Sequence, residues 1–233
     1  MEEIIGGRNP VCEALRAGRP VNKIYISQSL KPTAAAEIAG LARERRVPVQ
    51  RVDKPALDRL AAGAAHQGII ASVSPYAYAD LDHILAGVRD EAPLLVLLDG
   101  INDPHNLGAI IRSADASGAH GVVIPRRRSA AVTSVVAKAS AGAVEFVPVA
   151  RVGNLAATID KLKERDLWVV GADPSAKQLL WDAPLDGPLA VVVGGEGRGI
   201  SRLVREKCDL LVRLPMAGRV NSLNVSVAAA TVM

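Results

Sequence analysis

Between Leu94 and Leu214 the chain carries six short strand-like runs, Leu94–Leu98, Gly121–Ile124, Val144–Pro148, Trp168–Gly171, Leu189–Val193 and Leu210–Leu214, separated by segments with helical spacing. Several continue without the polar alternation that a half-solvated strand shows. Burying one Val, Leu or Ile side chain is worth about 1.5–3 kcal/mol, so such strands are stable only when both faces are covered. In a β/α alternation this predicts an α/β fold with a mostly parallel sheet flanked by helices. Leu107–Ser117, Ala130–Ala139, Asn154–Arg165, Ser201–Lys207 and the stretch from Ser222 onward fit those helices.

Ahead of this region, residues 1–75 read as a small α/β module. The pattern predicts helices at Pro10–Ala17, Thr33–Arg46 and Pro55–Ala62, and strands at Asn22–Ser27, Val47–Val52 and Gly68–Val73. Residues 76–92 turn to Tyr, Ala and Asp, with one short amphipathic stretch, Leu81–Val88, between prolines, and read as a linker. Residues 93–233 form the second domain.

Charge separates the two parts. Residues 1–75 hold 11 Lys and Arg against 7 Asp and Glu, whereas the remainder of the 28 basic and 24 acidic residues balances at 17 against 17. A basic module joined to a neutral one suggests that the first meets a polyanion and the second performs chemistry. Cys12 and Cys208 lie far apart without CxxC or Cys/His spacing, which fits buried apolar thiols in a reducing compartment and no metal site. The sequence lacks a run of about 18 apolar residues and a basic-then-apolar leader, so the expectation is a cytoplasmic protein without a membrane span.

The last third concentrates the functional signals. Val191-Val192-Val193 ends in Gly194-Gly195-Glu196-Gly197-Arg198-Gly199-Ile200-Ser201, and Leu214 opens Pro215-Met216-Ala217-Gly218-Arg219-Val220-Asn221-Ser222-Leu223-Asn224. Each loop leads into a helix start, so free backbone amides gather at strand C-termini, where open α/β sheets place ligands. The glycine loop fits neither a dinucleotide GxGxxG, because Ile200 stands at the third glycine, nor a P-loop. Gly197 and Gly199 serve either a tight turn or a cradle. A third loop, Asp99 to Asp115, places Asn106 as a helix N-cap and Arg112 about 1.7 turns further on. Arg112 either pairs with Asp99 or Asp115 or serves a site. His66, His83 and His120 lack partners at metal or triad spacing and read as structural or surface residues. The run Arg126-Arg127-Arg128 follows a strand end on the ligand side and is either a phosphate contact or a solvated loop. Six aromatic residues are too few for a base-stacking platform, so recognition of a polyanion would rest on its phosphates and shape.

DPHNLGAIIRSADASG, VVGGEGRGIS and LPMAGRVNSLNVSVA resemble, in order and spacing, the three motifs of the SpoU-type RNA ribose 2′-O-methyltransferases of the trefoil-knot superfamily. Ile5-Gly6-Gly7-Arg8-Asn9-Pro10-Val11 with His66-Gln67-Gly68-Ile69 resembles the ribosomal-protein-like RNA-binding module of the subgroup that methylates a guanosine of large-subunit (23S) ribosomal RNA. The resemblance implies a C-terminal segment threaded as a trefoil knot, a homodimer, and S-adenosylmethionine held by Gly195, Glu196, Ile200, Leu214, Met216, Ser222, Leu223 and Asn224. It further implies a catalytic group of Asn106, Arg112, Glu196, Ser222 and Asn224, with Arg8, His105, Arg126, Arg127 and Arg128 meeting RNA. Within such a site the 2′-hydroxyl loses a proton while it attacks the methyl carbon, and a permanently charged guanidinium suits a phosphate clamp and alkoxide stabiliser better than a proton acceptor. Two alternatives stand beside this reading: the same scaffold methylating a transfer RNA ribose, and a non-catalytic RNA-binding or assembly protein with the same fold. Met233 falls about three turns into the helix beginning near Ser222, where family members continue it, and the expectation is reduced stability or activity.

Overall fold

Two sheets organise the chain, and the shorter comes first. The computed structural model describes residues 3–61, 63, 65–219 and 222–233. In chain order β1 (Glu3–Gly6), α1 (Arg8–Arg16), β2 (Val21–Ser27), α2 (Pro32–Glu44), β3 (Val49–Val52), α3 (Lys54–Ala61) and β4 (Ile69–Val73) build a four-stranded sheet of order β1-β4-β2-β3. The pairs of β4 with β1 and with β2 are antiparallel, while β2 and β3 run parallel. The sequence pattern missed β1, whose four residues are too few to show a period. The predicted end of α3 at Ala62 lies outside the described residues.

The chain continues with α4 (Leu81–Gly87), β5 (Leu94–Asp99), α5 (Pro104–Ala116), β6 (Gly121–Pro125), α6 (Ser134–Ala139), β7 (Val149–Val152), α7 (Leu155–Lys163), β8 (Trp168–Ala172), β9 (Gln178–Leu179), β10 (Leu189–Gly194), α8 (Arg202–Lys207), β11 (Leu210–Arg213) and α9 (Val225–Val232). Its seven-stranded sheet has the order β7-β6-β5-β10-β8-β11-β9, and every pair in it is parallel. Both faces are covered, as the apolar runs require. Leu95, Leu97, Val169, Ala190 and Val192 meet Leu155, Ile159 and Leu162 of α7 and Val204 of α8 in one core. The alternate positions Val96, Leu98, Val191 and Val193 are equally buried on the other face, where α5 and α9 pack. Ile84 of α4 also enters the first of these cores, so the stretch read as a linker contributes packing.

One expectation changes. The run Val144–Pro148 is not a strand: Ala143–Glu145 form a 3-10 turn after Gly142 at φ +95°, Phe146 is exposed, and β7 starts after Pro148, which has no amide hydrogen to give a ladder. By packing, residues 131–146 group with residues 3–77, and residues 78–130 with 147–233.

Within the first unit Arg19, with only 8% of its side chain exposed, lies between Glu3 at 3.0 Å and Glu145 at 2.8 Å and donates to the Ser74 carbonyl at 2.9 Å. Burial pushes the Glu145 carboxyl above its ordinary pKa and Arg19 opposes that shift. Arg19→Met leaves Glu145 buried without its cation, so urea unfolding is expected to show a loss of about 3–5 kcal/mol. Cys12 is buried, and burial pushes the Cys208 thiol up to about 11, leaving both as packed apolar groups.

Candidate functional site

All strands of the larger sheet point one way, so the loops after β5, β6, β8, β10 and β11 emerge at one edge. A cavity of about 380 Å³ opens there, lined by three strand ends and the start of α9: Ala172 to Pro174, Val193 to Gly197 with Gly199, Val212 to Leu214 with Met216, and Ser222, Leu223, Val225 and Ala228. Of the residues expected to hold a cofactor, Gly195, Glu196, Leu214, Met216, Ser222 and Leu223 line it. Ile200 and Asn224 do not. The Ile200 side chain is only 7% exposed and packs in the core, and the Asn224 side chain caps α9 by accepting from the Ser226 amide at 3.0 Å. Asp173, Pro174 and Arg213 were not read from the sequence. The apolar runs ending at Gly171 and Leu214 were the available signal, since neighbouring parallel strands share one ligand edge.

The glycine loop is shaped by close backbone approach. A Cβ on Gly194 would lie 2.0 Å from the Gly199 carbonyl carbon, and one on Gly195 would lie 2.3 Å from the Gly100 oxygen. Asp99 ties both ends of the loop. Its carbonyl accepts from the Gly195 amide at 2.9 Å, and its carboxylate accepts from the Ser201 amide, which opens α8, at 2.7 Å.

Beside the cavity the three loops join through side chains. Asn224 donates to Glu196 Oε1 at 3.0 Å and to Asn106 Oδ1 at 3.1 Å, while the Asn106 amide donates to the same Glu196 oxygen at 3.3 Å. Asn106 is free to do this because it is not the N-cap of α5. Asp103 is, accepting from the His105 amide at 2.9 Å, and Pro104 takes the first helical position, where its missing N–H costs nothing. Glu196 thus has one oxygen held by two amides and the other turned to no protein donor among the described residues.

Arg112 lies on an exposed side of α5 and forms no ion pair among the described residues, so it pairs with neither Asp99 nor Asp115. It does not line the cavity of this single chain. His105 shares its side of the helix, seven residues earlier, and is exposed. Arg126, Arg127 and Arg128 are exposed at the end of β6, on the same sheet edge as the cavity. The Arg126 carbonyl accepts from Arg151 at 3.1 Å, and Arg151 stacks on Tyr78 with 4.8 Å to the ring centre. Arg8 is engaged instead, held by Glu37 at 2.6 Å. Its hydrogen bond keeps the Glu37 carboxyl below its ordinary pKa. His66 and His120 have partners the sequence did not show, Asp58 at 2.7 Å and Glu91 at 3.0 Å. Among the described residues no three His, Cys, Asp or Glu side chains group as a metal site, and no helix is long and apolar enough to cross a membrane.

Residues 93–233 match the model of the SpoU rRNA Methylase family, and residues 4–79 match that of the RNA 2′-O ribose methyltransferase substrate-binding domain. A TrmH family tRNA/rRNA methyltransferase of Staphylococcus haemolyticus is 50% identical over 236 residues, covering 100% of this chain and 94% of the relative. One of Bacillus subtilis is 47% identical over 229 residues, covering 97% and 92%. The SpoU methyltransferase AviRb of Streptomyces viridochromogenes, solved in complex with AdoMet, superposes with a TM-score of 0.82 at 30% identity over 99% of this chain and 87% of that one. With the motif loops joined at one sheet edge and the match running through the whole larger sheet, the chain belongs to the SpoU family of RNA methyltransferases.

Proposed function

We propose that this protein methylates a ribose 2′-hydroxyl of RNA, most readily a guanosine of large-subunit ribosomal RNA, using S-adenosylmethionine. The observation that carries the reading is the union of Asn106, Glu196 and Asn224, which come from three separate motifs, at the mouth of the cavity. The cavity suits the cofactor in kind: Leu214, Met216, Leu223 and Val225 offer apolar walls to an adenine, and the glycine loop offers backbone groups where no side chain fits. Bound there, S-adenosylmethionine supplies an electrophilic methyl group.

The chain's own residues supply position and charge. Asn106 and Asn224 orient Glu196, and Ser222 faces the same space. Arg112 stabilises the negative charge that grows on the ribose oxygen as its proton leaves, with His105 and Arg126 to Arg128 drawing in the phosphates. Arg8 joins them only by giving up Glu37. In this reading residues 1–75 dock RNA, 76–92 connect, and 93–233 catalyse. The C-terminal segment is threaded as a trefoil knot. In support, β11 is separated from β5 by β8 and β10, yet the chain returns to set α9 against α5 and β10. The enzyme acts as a cytoplasmic homodimer in which Arg112 completes the partner's site. In support, Arg112 lies outside its own cavity, and Val227 on α9 is 50% exposed.

Methyl-labelled S-adenosylmethionine incubated with transcripts of 23S ribosomal RNA and of transfer RNA tests the substrate. Label in the ribosomal transcript is expected. Label confined to transfer RNA overturns that assignment, and label in neither RNA overturns the enzymatic reading.

A further inference from the structure

A second cavity, about 400 Å³, lies in the first unit, lined by Ser27, Ser29, Leu30, Lys54, His66, Gln67 and Gly68. It sits at the end of β2, beside the start of α3 and the turn that enters β4. In that turn the Ile69 amide donates to the His66 carbonyl at 2.9 Å, and the two central residues both have positive φ, Gln67 at +50° and Gly68 at +85°. This is the φ pattern of a type I′ turn, whose first central position favours Asn, Asp or Gly. Glutamine has no such preference, so its presence costs stability that a shorter residue would recover.

The surroundings hold this conformation in place. The Gly68 amide donates to His66 Nδ1 at 3.0 Å, so the ring proton is on Nε2, which donates to Asp58 at 2.7 Å. Both ring nitrogens are occupied, and His66 acts as a brace. A Cβ on Gly68 would come within 3.3 Å of Leu30 and 3.6 Å of Ser27, so the turn packs against the cavity floor. Gln67 itself is exposed, and its amide hydrogen-bonds no described residue. Lys54 is exposed and forms no ion pair among the described residues. The Ser27 and Ser29 hydroxyls hydrogen-bond each other at 2.8 Å.

We propose that this niche binds a nucleotide of the substrate RNA, with the Gln67 amide on the base edge and Lys54 on a phosphate. The inference rests on the RNA-methylating function proposed above and adds a recognition site to it. The lining chemistry favours a nucleotide: an ammonium, an amide and two hydroxyls, with no carboxylate among them. It also places a reading group in a module where the basic residues exceed the acidic by 11 to 7.

The full chain, its Gln67→Gly and its Lys54→Met variants can be compared for retention of a 23S ribosomal RNA transcript, with a transfer RNA transcript beside it. Gln67→Gly is expected to melt at or above the parent's temperature, yet to bind RNA about tenfold more weakly and raise KM for RNA with kcat unchanged. Lys54→Met is expected to weaken binding and reduce the salt slope by about one. A purely structural glutamine would not combine higher stability with weaker RNA binding. If the parent methylates RNA but both variants retain it as the parent does, the niche is overturned and the enzymatic reading stands. If the parent methylates no RNA, that reading falls and the niche with it.

Discussion

Arg112→Ala is expected to lower methyl transfer about 100- to 1,000-fold, the usual cost of removing one group that stabilises transition-state charge. The fold should not change. Arg112 is exposed on α5 and bears no ion pair among the described residues, and substitutions at such surfaces stay within about 0.5 kcal/mol. Affinity for S-adenosylmethionine should also remain, because the proposed role sets the Arg112 charge against the ribose oxygen and not against the cofactor. In the proposed role a guanidinium contributes charge where an alkoxide develops, and the loss should appear in kcat. Arg112→Lys should recover only part of the rate, since an ammonium offers a point charge without the planar fork. Single-turnover transfer from labelled cofactor, read beside thermal melting and cofactor titration, separates these effects. Full activity in Arg112→Ala removes the residue from catalysis.

Gly194→Ala should instead weaken cofactor binding, through the backbone. The added Cβ would lie 2.0 Å from the Gly199 carbonyl carbon, 2.1 Å from the Ile200 nitrogen and 2.4 Å from the Gly199 oxygen. All three are backbone atoms, so no rotamer relieves the clash and the loop must open. Opening it pulls against both Asp99 hydrogen bonds and displaces Glu196, which Asn106 and Asn224 hold. A fall in affinity for S-adenosylmethionine of more than about 100-fold is expected by isothermal titration. Gly197→Ala is the control. Its Cβ meets nothing within 4 Å, and only the φ of +79° opposes it, a strain of about 1–2 kcal/mol. Equal affinities for the two variants would show that close packing of the loop is not what builds the cavity.

The strands that form the site were legible because their chemistry is local. Leu94–Leu98 and Leu189–Val193 are uninterrupted apolar runs, and they lie side by side as β5 and β10 at the centre of the sheet. Where the cue was weak the reading failed. Val144, Phe146 and Val147 are apolar, but Glu145 interrupts them and Gly142 and Pro148 set the stretch apart as a turn, and β9 has two residues. The capping of α5 was misread because Asn106 and Asp103 are both good caps, and Pro104 decides between them. The meeting of Asn106, Glu196 and Asn224 could not be derived from spacing. Separations of 90 and 28 residues are closed by strand order, which puts β10 beside β5 and returns α9 to α5. Family motifs named those residues, and only the fold shows them sharing one carboxylate oxygen.

The most direct measurement is the chemical position of the transferred methyl group. Ribosomal RNA treated with the enzyme and methyl-labelled S-adenosylmethionine, digested to nucleosides and resolved by mass spectrometry, is predicted to carry the label on a ribose 2′-oxygen, as 2′-O-methylguanosine, and to lose it with Arg112→Ala. Label on a base, or no label from an enzyme that binds both cofactor and RNA, would contradict the account.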